Sequence, residues 1–318
     1  MAVYFDKPVL CPGCVSVVDA RRVSFNVGGR SLVLEFRRLS GQRLGDVISA
    51  LASGARTVTN LSAEFSDVNM TALLSRLDDY GLLAETDAFS AGAVCGKQLI
   101  SRLEQEHHAR QEANDPLPLW PILESGDASQ ELLTGLAKEY YFLTAAAYDS
   151  VTPAVSRLHG MQKLLMINFI LGEYRHDKLM LRTLVACGIA AQDVAELRPH
   201  PYTQGLTDML RYWAETDPLS LMCALFIVEG TEQGGKAYIS MLRKNDLPAG
   251  YLEGIIEHDR ANAEGDHAAI SREFMRHQSF VSAEEAERVS ERLANLHALM
   301  RRRNQEVTLH YADMDRVS

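Results

Sequence analysis

Glu173 and His176 stand three residues apart in Leu164-Leu-Met-Ile-Asn-Phe-Ile-Leu-Gly-Glu173-Tyr-Arg-His176-Asp-Lys-Leu-Met-Leu181, a stretch apolar nearly all round through Leu171. On a helix turning about 100° per residue, the two sit about 60° apart on one face. Met166, Phe169, Met180 and Leu184 fall within about 40° of Glu173 by the same count. An ionised group left unpaired among such neighbours is costly or is forced neutral, so something inside must compensate the pair. A Glu-x-x-His pair is one way for a helix to offer two ligands to a metal.

Three further helical patterns behave alike. Glu139 shares a face with Leu132, Leu136, Leu143 and Ala146. Glu229 follows the apolar run Leu221–Val228 and shares its face with Met222 and Leu225. From residue 248 a stripe of Leu252, Ile255, Ile256, Ile270 and Phe274 takes in Asp259 and Asp266, with His267 at its edge and His258 just off it. For any one of these, a Glu–Arg pair or a satisfied core His is an adequate account. Four helices turning acids or imidazoles toward one interior suit non-haem iron or manganese, which take hard oxygen donors plus borderline nitrogen.

The chain that must position these groups has 318 residues, a net charge of −10 and 47% hydrophobic content. That length allows two domains, and the acidic balance argues against non-specific binding to nucleic acid or anionic membrane. The start shows no basic segment followed by an apolar one, and five cysteines in a chain of this size read as reduced thiols of a cytoplasmic protein. Cys11-Pro-Gly-Cys14 is half of a zinc site at most, and a turn with two buried thiols is the better reading.

Val23, Phe25 and Val27, then Leu32, Leu34 and Phe36, alternate on either side of Gly28-Gly29 and predict a hairpin. Helical periods follow: Leu44 to Leu51 ending near Gly54, a short helix in 57–65, and a third capped by Asp67 and stopped by Gly81. Residues 88–127 read as a connector, with a polar exposed run at 97–110, solvated His107 and His108, and a loop broken by Pro116, Pro118 and Pro121. From Ser129 the expected helices are 129–150, 152–187, 203–215, 218–244, 248–277 and 282–304. The last opens on a capping box, Ser282 with Glu285, and its closing Arg301-Arg302-Arg303 suits a helix C-terminus. The fold class is mainly α, a helical bundle behind a small α+β winged-helix-like domain, divided as 1–86, 87–128 and 129–318.

The first quarter resembles the pyrroloquinoline-quinone peptide-chaperone family, the domain also called the RiPP recognition element. The resemblance implies that a strand edge and the third helix clamp a leader peptide as an added strand. An ordinary winged helix serving oligomer contacts, a homodimer for example, is the plainer alternative. Residues 129–277 resemble the haem-oxygenase-like fold in its branch of non-haem di-iron oxidases and oxygenases. Glu139, Glu173 with His176, and Glu229 match that branch's first three elements in order, and Glu229-Gly-Thr-Glu-Gln-Gly-Gly is similar too. Its last element, His-x-x-x-Asp-x-x-His, departs: here His258 and His267 lie nine apart instead of seven. Either a π-bulge brings both inward or Asp259 and Asp266 replace them, and no more than three of the four can ligate.

The resemblance implies two Fe(II) ions and O₂ as co-substrate. The implied reaction is oxidation of an amino-acid, amine or peptide-borne substrate in natural-product biosynthesis. Haem is not expected, because the fold's haem enzymes need a proximal His near the first helix. A metal-free enzyme of the fold, like the quinone-cofactor synthase or thiaminase II, would use the same Glu and His for proton transfer. A non-enzymatic peptide-binding partner is the third reading, against which the inward acids argue.

Overall fold

The computed structural model describes residues 5–10, 15–18, 22–27, 30–36, 40–79, 82–86, 93–278 and 281–313. The chain forms two compact units, Met1–Glu106 with Met275–Ser290, and His107–Phe274 with Glu291–Ser318.

The first unit holds β1 (Pro8–Leu10), β2 (Val15–Val18), β3 (Arg22–Val27), β4 (Arg30–Glu35), α1 (Gly41–Ser53), α2 (Val58–Glu64), α3 (Met70–Asp79) and β5 (Leu83–Glu85). The hairpin forms in the register that alternation dictates, with Val27 opposite Arg30 and Arg22 opposite Glu35. Its glycines, the Cys11–Cys14 pair and Gly81 lie outside the described residues. Strand order is β2-β3-β4, all antiparallel, while β1 pairs with β5 in a separate ribbon. Period-2 alternation turns Val23, Phe25 and Leu34 into a core shared with Leu44, Val47, Leu61, Phe65 and Leu74. Ser40 and Thr57 cap α1 and α2 through bonds from Arg43 N at 3.3 Å and Asn60 N at 3.2 Å. The cap of α3 is Asn69, whose Oδ1 accepts from Ala72 N at 3.0 Å. Asp67, expected in that role, is drawn off by the Arg43 guanidinium at 2.6 Å.

Helix α4 (Gly96–Glu112) runs across the division between the units, and α5 (Leu119–Ser125) follows it. The second unit is all-helical: α6 (Gln130–Val151), α7 (Gly160–Glu173), α8 (His176–Ala186), α9 (Pro201–Thr216), α10 (Pro218–Val228), α11 (Glu232–Leu242), α12 (Tyr251–Glu264), most of α13 (Ile270–Arg276) and the C-terminal part of α14 (Ala283–Asp313). Ser129 caps α6, Asp217 caps α10 with Pro218 behind it, and the Ser282–Glu285 capping box opens α14.

Three helices expected to be continuous are interrupted, and each interruption has a residue at positive φ. The 152–187 helix breaks at Arg175 (φ 75), the 218–244 helix at Gly230 (φ 67) and the 248–277 helix at Asp266 (φ 51). One left-handed residue ends the run of i→i−4 bonds without disturbing the apolar spacing that flanks it. The packing of α8 on α12 is close enough that a Cβ at Gly254 would lie 2.1 Å from Leu179 O. Among the described residues no helix is long and apolar enough to cross a membrane.

Candidate metal centre

All three helix breaks serve one place. Glu173 is the last residue of α7; Tyr174 is extended (ψ 121), Arg175 is left-handed, and His176 starts α8. The turn keeps both side chains inward, with His176 Nδ1 3.2 Å from Glu173 Oε2. Glu229 follows α10 and precedes Gly230. His267 opens a short 3₁₀ turn just after Asp266, and its Nδ1 lies 2.9 Å from Glu173 Oε1 and 3.4 Å from Glu229 Oε2. Two glycines make room for this ring, because a Cβ on Gly265 or Gly172 would stand 2.6 Å or 3.0 Å from His267 Nε2. His258 completes the group from α12: its ring lies edge-on to His176 at 4.8 Å between centroids, and its Nδ1 is 3.1 Å from Tyr140 Oη.

Glu173, Glu229 and His267 each bring a ligand atom within 4.8 Å of the other two. The contacts are short yet misaligned as hydrogen bonds: Glu173 Oε1, His176 Nδ1 and His267 Nδ1 are buried with no hydrogen-bond partner. Buried polar atoms in proteins are almost always satisfied, so these orphaned atoms, with Glu173, Glu229 and His267 close enough to share one ion, fit a cation site. Two carboxylates and three imidazoles are the donor set that iron or manganese takes.

The electrostatics follow from burial and these contacts. Burial works against a charged His267, but Glu173 and then Glu229 outweigh it and raise its pKa to about 9. Burial opposes the charge of Glu173 as well, and His176 and His267 reverse that and hold it low. Glu229 is pushed up, first by burial, and His258 is pushed down to about 4, first by burial and then by His176.

Of the eight residues expected as ligands, the fold brings together Glu173, His176, Glu229, His258 and His267. The other three lie elsewhere. Glu139 is buried, but its carboxylate accepts from Tyr311 Oη at 2.8 Å and from His200 N at 3.0 Å. Tyr311 reaches it because Gly135 leaves no side chain in the way. The carboxylate of Asp259 sits over Gly235 of α11, and Asp266 is exposed at the left-handed turn. The break at Gly265–Asp266, in place of a π-bulge, lets both His258 and His267 face inward.

Several contributors carried no periodic signal. Tyr140 is a neighbour of Glu139 on α6, and its phenol is kept protonated by burial. Arg303, expected at a helix end, lies mid-helix because α14 runs on to Asp313. Both line a cavity of about 140 Å³ with Glu173, Glu229, His258 and Phe169. His107, expected in solvent, packs edge-on to Phe226 and His297.

No protein-family model matches this chain, and no curated protein does. Solved structures do. One is a domain of unknown function with a haem oxygenase-like fold from Shewanella denitrificans, at 19% identity and a TM-score of 0.59 over 68% of this chain and 94% of that one. Another is a TenA homologue from Pseudomonas syringae pv. tomato, at 11% identity and a TM-score of 0.52 over 68% of this chain and 93% of that one. Most of the chain therefore has the haem oxygenase-like, TenA-like fold.

Proposed function

We propose that the second unit is a non-haem iron oxidase or oxygenase that activates O₂. The observation that carries this reading is the set of orphaned donor atoms on Glu173, His176 and His267, buried beside Glu229, His258 and a small cavity. Glu173, His176, Glu229, His258 and His267 would hold the metal, Glu173 offering Oε1 beside His267 and Oε2 beside His176. Iron held there supplies O₂ binding and cleavage together with one-electron chemistry.

The chain's own groups set the conditions. Glu173 and Glu229 bring the negative charge that two buried cations require. For Nε2 of His258 to ligate, its Nδ1 must carry the proton and donate to Tyr140 Oη, the usual role of a partner behind a metal-bound imidazole. The apolar walls of the cavity, Phe169, Leu210, Leu225 and Val228 among them, limit water at the reacting centre.

The first unit would recruit a peptide or carrier-borne substrate, in a cytoplasmic natural-product pathway. A groove of about 790 Å³ runs between β4 and α3, lined by Val33, Phe36, Val68, Leu73 and Arg76. Strand β4 stands at the end of the sheet order, where an extended peptide can add as a further strand.

One alternative is a metal-free enzyme of the same TenA-like fold, in which Glu229, whose pKa burial raises, would donate a proton to substrate. Anaerobic addition of Fe(II) followed by O₂ separates the two. The iron reading expects a new absorption band and O₂ consumption that the metal-free protein lacks; no spectral change and no O₂ uptake would leave the metal-free reading.

A further inference from the structure

We propose that Arg303 anchors the carboxylate of a small organic acid bound in the cavity beside the metal centre, an inference that rests on the iron reading only for the reaction that follows. The cavity is closed on one side by Glu173, Glu229 and His258 and receives Arg303 from α14. The guanidinium spends two of its donors locally: Nε donates to Thr203 Oγ1 at 2.8 Å and Nη1 to Asn304 Oδ1 at 3.2 Å. Nη2 donates to no described residue, and no described carboxylate lies within the 4 Å of an ion pair. Glu139 is the acid whose charge acts most on Arg303, but its oxygens are engaged by Tyr311 and His200. A partly buried cation with no acid of its own is costly, and a forked donor with a free arm matches a carboxylate.

Two further polar atoms of the same cavity are buried without partners, Asn262 Oδ1 and Ser150 Oγ. A cavity meant for hydrocarbon alone would not carry three unsatisfied polar groups. Much of the remaining wall is apolar, Leu143, Val151, Leu206 and Leu225 among it. At about 140 Å³ the space is close to that in which an apolar cavity of roughly 150 Å³ takes up benzene. The guest is therefore a carboxylate on a body of about phenyl size, whose far end meets Glu173, Glu229 and His258. The same chemistry is offered by a free acid or by the C-terminal residue of a peptide.

Calorimetric titration of the full, chelator-treated chain tests this, since removing metal leaves Arg303 as the group that reads the charge. Benzoate against benzamide probes the free acid, and N-acetylalanine against its primary amide probes a peptide end. The acid of at least one pair should bind about tenfold or more tightly than its amide. Arg303→Met should abolish that preference and Arg303→Lys should keep part of it. Equal binding of acid and amide in both pairs by the unaltered protein would overturn the proposal, as would a preference that survives Arg303→Met. Acid selectivity in a protein that takes up no iron would retain the Arg303 site and dismiss the oxygenase.

Discussion

Two imidazole nitrogens 3.3 Å apart, Nδ1 of His107 and Nδ1 of His297, cannot both hold a proton aimed at the other. Burial first, then His297 and Arg110, push the His107 pKa down from 6.5 to about 4. Between those values the unfolded chain binds the proton and the folded chain does not, so stability should fall as pH drops from 6.5 toward 4. His107→Asn should flatten that part of the pH profile; urea unfolding at pH 7 and pH 5 with an unchanged difference would contradict the assignment. At this scale the sequence was informative where a polar residue broke an apolar stripe, as at Glu173, His176 and Glu229. The same signal places Glu139 in the interior too, where a hydroxyl from Tyr311 and an amide from His200 donate to its carboxylate away from the other groups. Arg303 gave no signal, since its neighbours Arg301 and Arg302 make it look like part of a surface charge run.

Elements carry the strain that builds the site. Arg175 and Asp266 hold positive φ without being glycine, a conformation costing about 1–3 kcal/mol each that persists only where surroundings enforce it. Periodicity reads straight through such points: apolar spacing on both sides of Arg175 is unbroken, and nothing in an arginine announces a left-handed turn. Gly230 and Gly265 were the legible hints, and the nine-residue separation of His258 and His267 made sense only once the helix between them ended. Gly265 has an ordinary φ of −79, so alanine is acceptable to the backbone and favoured by helix propensity by about 1 kcal/mol. Its Cβ would nevertheless stand 2.6 Å from His267 Nε2 and displace the ring. Gly265→Ala should keep the thermal midpoint and lower iron affinity by about tenfold or more. Iron titration showing unaltered affinity would remove His267 from the ligand set.

On the scale of the whole molecule, the helical bundle was legible because caps, apolar stripes and stop signals agreed along most of the chain. The recruiting role proposed for the first unit rests on the groove beside β4, where Val33, on the hairpin face opposite buried Leu34, is 51% exposed. Val33→Glu should leave iron content and folding unchanged and raise KM for a peptide- or carrier-borne substrate by about tenfold; an unaltered KM would make that surface an oligomer contact or a bystander. The central proposal is that five side chains, four of them at helix ends and His258 within α12, hold two iron ions. Elemental analysis of protein reconstituted anaerobically with Fe(II) and desalted is its most direct test. Close to two iron atoms per chain are expected, about one in His176→Ala, and almost none in Glu173→Ala, all three proteins remaining helical. Iron content that is negligible in the unaltered chain, or the same in all three, would contradict it.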